Sequence, residues 1–119
     1  MFDKINGAFE TYSQSSNLHK DPTLRSIHVK MGPNILANEI IDGLKALKYK
    51  EIRYNDIYNE IFTTKAGYEV TIHLLSGGSG TTTIEIAVFS PANRGKTRKA
   101  LRFLLNYYKE KFKTFASHE

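Results

Sequence analysis

Eight cations and a single carboxylate fall between residues 94 and 113: Arg94, Lys96, Arg98, Lys99, Arg102, Lys109, Lys111 and Lys113 against Glu110. That balance of +7 exceeds the +5 of the whole chain, with its 17 basic and 12 acidic residues, so the remainder is slightly acidic. Four of these cations lie in or just before the first turns of a predicted helix, where the positive end of the helix dipole repels them unless an anion lies nearby. Backbone N–H groups at such a start, together with basic side chains, bind phosphate or carboxylate. The alternative is a charged helix face that only keeps the protein in solution.

The loop before that helix, Ser90-Pro91-Ala92-Asn93-Arg94-Gly95-Lys96-Thr97, comes close to the phosphate-loop pattern G-x-x-x-x-G-K-[ST], between a predicted strand and a predicted helix. Ser90 stands where the first glycine belongs, and Pro91 removes a backbone donor. The loop therefore points away from nucleotide hydrolysis and toward a simpler anion site formed by Arg94, Lys96, Thr97 and Arg98.

A second chemical grouping depends on strand register, which places Glu60 beside His73 and Glu85 diagonally across the next strand. A histidine between carboxylates can move protons or bind a metal. Opposite charges on adjacent strands are also ordinary surface pairs worth under about 1 kcal/mol. Neither the other histidines nor any serine has the spacing of ligands or of a nucleophile with its base, so no catalytic residue, metal or cofactor is expected. The absence of cysteine excludes thiol chemistry, cysteine-bound zinc and disulfides. There is no apolar run long enough for a membrane span or secretion signal, which predicts a soluble, cytoplasmic protein.

Apolar periodicity gives the supporting elements. Phe2, Ile5, Phe9 and Tyr12 predict a short amphipathic helix, followed by a polar break from Ser13 to Asn17; residues 1–24 are read as this helix and its linker. Residues 25–119 are read as one α+β domain. Within it, Ile27, Val29 and Met31 alternate as a strand. Pro33 opens a helix lined by Leu36, Ile40, Leu44 and Leu47. Gly43 falls on the same stripe, where it costs about 1 kcal/mol relative to alanine, and this predicts a close approach to the sheet.

Three antiparallel strands follow, at Ile57 to Thr64, Tyr68 to Leu74 and Thr82 to Ser90. Turns at Ala66-Gly67 and Ser76–Gly80 connect them. The predicted register sets Leu74 opposite Thr82 and Ile61 opposite Ile72. Tyr54, Tyr58 and Phe62 share one parity, so they form either a base-stacking surface or core. A final helix buries Leu101, Leu104, Leu105, Tyr108 and Phe112. The predicted order is α-β-α-β-β-β-α, an antiparallel sheet with its helices on one face.

In residue class, Thr97-Arg98-Lys99-Ala100-Leu101-Arg102 and Pro33-Asn34-Ile35-Leu36-Ala37-Asn38-Glu39 resemble the two helix starts of the double-stranded-RNA-binding domain. That family is a helix, three antiparallel strands and a helix, and it grips an RNA duplex by shape and backbone. The resemblance covers residues 33–112. It implies phosphate contacts for Arg98, Lys99 and Arg102 and minor-groove contacts for Asn38 and Glu39. The family's glycine-proline-x-histidine loop is replaced here by Lys65-Ala66-Gly67. Together these features predict a non-enzymatic module that engages an anionic partner, nucleic acid, through its basic last helix. Five phosphate contacts would give a log affinity against log salt slope of about −4.5. The rival expectation is a structural or protein-interaction domain, one able to form a homodimer. The apolar face of the last helix is committed to the core, which argues against a membrane-surface role.

Overall fold

The computed structural model describes residues 12–16, 21–91 and 96–115. The elements in chain order are β1 (Tyr12–Gln14), a 3₁₀ turn (Pro22–Leu24), β2 (Ile27–Val29), α1 (Pro33–Ala46) and β3 (Lys50–Asn55). They continue with β4 (Glu60–Lys65), β5 (Tyr68–Ser76), β6 (Thr82–Phe89), α2 (Lys96–Lys111) and a last 3₁₀ turn (Lys113–Phe115). The fold is α+β, an antiparallel sheet of six strands with both helices on one face. None of the described helices is long and apolar enough to cross a membrane.

The sheet runs β1-β6-β5-β4-β3, and β2 also pairs with β6. β1 lies along Ala87–Phe89 and β2 along Thr82–Ile84, so one edge of β6 is covered by two short strands in tandem. Ser15 bridges the gap. Its N–H donates to the Ile86 carbonyl, and its hydroxyl accepts from the Ile86 N–H and from the Ser26 hydroxyl. Backbone groups left unpaired by the broken strand are thereby satisfied. Just before β2, the 3₁₀ turn seats Leu24 in the core.

Alternation decides which side is buried. Ile61, Val70, Ile72, Leu74, Ile84, Ile86 and Val88 share the inner face with Ile27 and Val29. Leu36, Ile40 and Leu44 of α1 and Leu101, Leu104, Leu105 and Tyr108 of α2 close over them. The Tyr108 hydroxyl donates to the Ile40 carbonyl at 2.7 Å. Gly43 makes room for this: a Cβ there would lie 2.9 Å from the Tyr108 hydroxyl and 3.0 Å from the Tyr107 ring. The close approach predicted for Gly43 is therefore to the other helix, not to the sheet.

Several local expectations are corrected. Phe2, Ile5 and Phe9 lie outside the described residues, but Tyr12 is in β1, and the polar break begins inside the sheet with Ser13 and Gln14. The strand expected at Ile57 to Thr64 begins at Glu60. Before it, β3 is a strand that the sequence reading missed, and four strands rather than three lie between the helices. Asn55 turns the chain by accepting from the N–H groups of Ile57 and Tyr58, and Asn59 takes a left-handed φ of 51°. A bulge in β3, with Glu51 at φ 52°, shifts the register between Lys50↔Thr64 and Arg53↔Phe62.

Tyr54 therefore faces inward opposite Ile61, Phe62 faces outward beneath the Arg53 guanidinium, and Tyr58 sits in the turn. The three form no stacking surface. In the last hairpin Leu74 opposes Ile84, not Thr82. The strands run on to Ser76 and Thr82 because Ser79 and Gly80 alone supply the left-handed residues needed to reverse the chain. A slip of two leaves every side chain on its expected face. Ile61 does oppose Ile72, across the turn at Ala66 and Gly67.

Candidate anion-binding end

At one end of the sheet three pieces of chain converge. α1 finishes there, the β4–β5 turn reverses there, and β6 leads there into α2. Lys50 pairs with Thr64, the Ser90 hydroxyl reaches the Gly67 carbonyl at 3.5 Å, and the Lys65 ammonium donates to the Leu47 carbonyl at 2.6 Å. The same ammonium lies 5.0 Å above the Tyr49 ring. The Tyr49 hydroxyl is 2.9 Å from that of Tyr68. Burial and this pairing push the Tyr49 phenol well above its ordinary pKa. A shallow groove of about 380 Å³ opens among Lys50, Thr64, Lys65, Tyr68 and Pro91, with Glu51 and Glu69 also on its walls.

The predicted site residues divide into three groups. Lys96, Arg98 and Lys99 are exposed on the first turn of α2, at this end of the sheet. Thr97 points the other way: it is fully buried, with its hydroxyl 2.9 Å from that of Ser13 in β1. Arg94 lies outside the described residues, as does the rest of the loop from Ala92 to Gly95.

Arg102, one helical turn further on, is engaged within the protein. Its guanidinium donates to Asp21 at 2.9 Å and to the Thr23 hydroxyl at 3.0 Å. Hydrogen bonds from Thr23, and then from Arg102, hold the Asp21 carboxyl well below the usual carboxylate range. Lys109 donates to the Pro22 carbonyl, Lys113 pairs with Glu110, and Lys111 lies 3.7 Å from Glu39. The basic stripe of the sequence is thus largely spent within the fold beyond its first turn. Asn38 and Glu39 sit in α1, which starts beside the opposite end of the sheet where β2 meets Thr82, so they do not join the Arg98 group.

Lys45, Lys48 and Lys50 were missed in the sequence reading. They are exposed at or just beyond the end of α1. With Lys65 and the first turn of α2, they make seven basic residues at one end of the molecule. The signal that could have found Lys50 is pairing arithmetic: a two-residue turn at Ala66-Gly67 sets Lys65, and Lys50 opposite Thr64, at the end of the sheet where β6 finishes.

On the outer face, His73 Nε2 lies 2.8 Å from Glu60. Glu85 stands directly opposite His73 across β5 and β6, not diagonally as expected. No group of three or more histidine and carboxylate side chains suited to a metal occurs among the described residues. Compared with known proteins, the chain matches no family model, no curated protein and no solved structure.

Proposed function

We propose that this protein is a non-enzymatic binding module that engages the phosphates of a nucleic acid with the cationic end of its sheet. Lys96, Arg98 and Lys99 are the principal contacts, and Lys48 and Lys50 are the flanking ones. The observation that carries this reading is the placement of Lys96, Arg98 and Lys99 on the exposed first turn of α2, against the helix dipole, at the same end of the sheet as α1's terminal lysines. An anion there relieves both the dipole and the mutual repulsion. Arg102 has a smaller role than its place in the sequence pattern suggests, because Asp21 already neutralises it.

The test is fluorescence anisotropy with duplex RNA, duplex DNA and single strands at two salt concentrations. A Lys96→Ala/Arg98→Ala/Lys99→Ala variant is expected to lose more than about tenfold in affinity, and its log–log salt slope to shrink by about 2.7. Arg102→Ala should change the slope by less than about 0.9. A flat salt response, or equal binding by the triple variant, would remove the reading. Preference for duplex RNA would support the likeness to the double-stranded-RNA-binding domain.

A further inference from the structure

In the first turn of α2, Lys96, Arg98 and Lys99 are exposed, and Thr97 is the one residue that is buried. The stripe that holds the helix on the sheet, Leu101, Leu104, Leu105 and Tyr108, begins beyond that turn. Thr97 reaches instead to the N-terminal edge: its hydroxyl lies 2.9 Å from that of Ser13 in β1, both of them buried. The next polar ties of α2 lead to the same stretch of chain. Arg102 donates to Asp21 and Thr23, and Lys109 to the Pro22 carbonyl. β1 is only three residues long and is carried forward by Ser15, which bonds both the N–H and the carbonyl of Ile86. A short strand and a turn whose three cations repel one another therefore share one buried bond, and each is weak without the other.

We propose that Ser13 and Thr97 are positioning residues for the phosphate site: β1 and the first turn of α2 open and close as one unit, and only the closed unit binds phosphate. This rests on the reading of the cationic end given above. Opening β1 leaves the buried Thr97 hydroxyl without its partner, and fraying the turn does the same to Ser13, so neither event occurs alone. The rest of α2 stays on the sheet through its apolar stripe. Two consequences follow from linkage. Molecules in the open form lower the apparent affinity in proportion to their fraction. A bound nucleic acid, in turn, suppresses the opening of an edge strand to which no phosphate contact is assigned. The N-terminal edge thus regulates the cationic turn by holding its geometry, not by adding charge to it.

Amide hydrogen exchange tests both halves. In the free protein, Ser13→Ala should speed the Ser15 amide and the Ala100 and Leu101 amides, which close the first turn of α2, by one common factor of about five- to tenfold. Thr97→Val should do the same, and the two combined no more than either alone, because both remove one bond. Thr97→Ser, which keeps the hydroxyl, should exchange as the unaltered protein does. The second measurement adds a short RNA or DNA duplex, whichever binds tighter, at about 100 times its Kd, and the Ser15 amide should slow about 100-fold. Ser15 is buried, so a duplex slows it by suppressing the opening and not by covering it. Amides of β3, at the other edge of the sheet, are the control and should change less than about threefold. A Ser15 amide that speeds in Ser13→Ala while Ala100 is unmoved overturns the common opening. A duplex that binds yet leaves the Ser15 rate unchanged overturns the positioning role and leaves the phosphate reading standing. Binding of neither duplex removes that reading and the role resting on it, and the free-protein rates tell this failure from the first.

Discussion

The C-terminus of α1 and the N-terminus of α2 lie at the same end of the sheet and are both surrounded by cations, yet the charges have opposite energetic signs. At α1 the last carbonyls are the negative end of the dipole. Lys45 sits in its last turn and the Lys65 ammonium bonds the Leu47 carbonyl, so these lysines stabilise the helix that they decorate. At α2 the first turn presents N–H groups and the positive end of the dipole, and Lys96, Arg98 and Lys99 oppose it. The first group stabilises the helix it decorates, whereas the second opposes the dipole of its own helix, which is why the second bears the functional reading.

This contrast can be broken at either helix. The largest effect is expected from Lys65→Met, which keeps the aliphatic stem but removes the bond to Leu47 and the charge over Tyr49. Denaturant unfolding should show a loss of about 1–2 kcal/mol. A loss no greater than that of an ordinary surface substitution would mean that Lys65 does not stabilise the end of α1. Next is Lys99→Glu, which replaces a cation at the positive end of a helix by an anion. In dilute protein the unfolding midpoint should rise, by about 0.3–1 kcal/mol in stability, while affinity for nucleic acid falls. Stability and binding moving in the same direction would contradict the argument from the dipole.

The smallest effect concerns Asp21. Its carboxyl is held low by Thr23 and Arg102, so its contribution to stability is present above the ordinary carboxylate pKa of about 3.9 and is lost as pH falls through the lowered folded value. Asp21→Asn should flatten the loss of stability on acidification below about pH 4. It also releases the Arg102 guanidinium, and the salt slope of nucleic-acid binding should steepen by at most about 0.9. No steepening would show that Arg102 cannot reach the ligand even when unpaired.

Periodicity was a good guide where it was unbroken. The stripe from Leu36 to Leu47 and that from Leu101 to Phe112 gave both long helices, and alternation in residues 68–74 and 82–88 gave two strands and their buried face. It failed where the backbone leaves the regular pattern. Glu51 in a bulge and Asn59 in a left-handed turn hid β3, because a one-residue shift reverses parity and makes a real strand read as noise. The charge cluster was legible as a cluster, but which of its members are spent was not. That depends on contacts such as Arg102 with Asp21, 81 positions apart, which no local pattern encodes. The lysines of α1 were missed for another reason: with β3 unread, the pairing that sets Lys50 opposite Thr64 could not be drawn.

The tandem edge made by β1 and β2 has a consequence for how the chain reaches this structure. The meander from β3 to β6 closes through short turns, whereas the Ser15 hydroxyl must find the Ile86 N–H from 71 positions away, and Ser13 must find Thr97 from 84. Contacts so distant in sequence form late, after the closure entropy has been met by nearer ones. The nucleus therefore belongs to the meander and the helices packed on it. The N-terminal edge is expected to arrive last and, held by three-residue strands, to be the first to open in native-state hydrogen exchange. Since Asp21 travels with that edge, each opening briefly returns Arg102 to solvent.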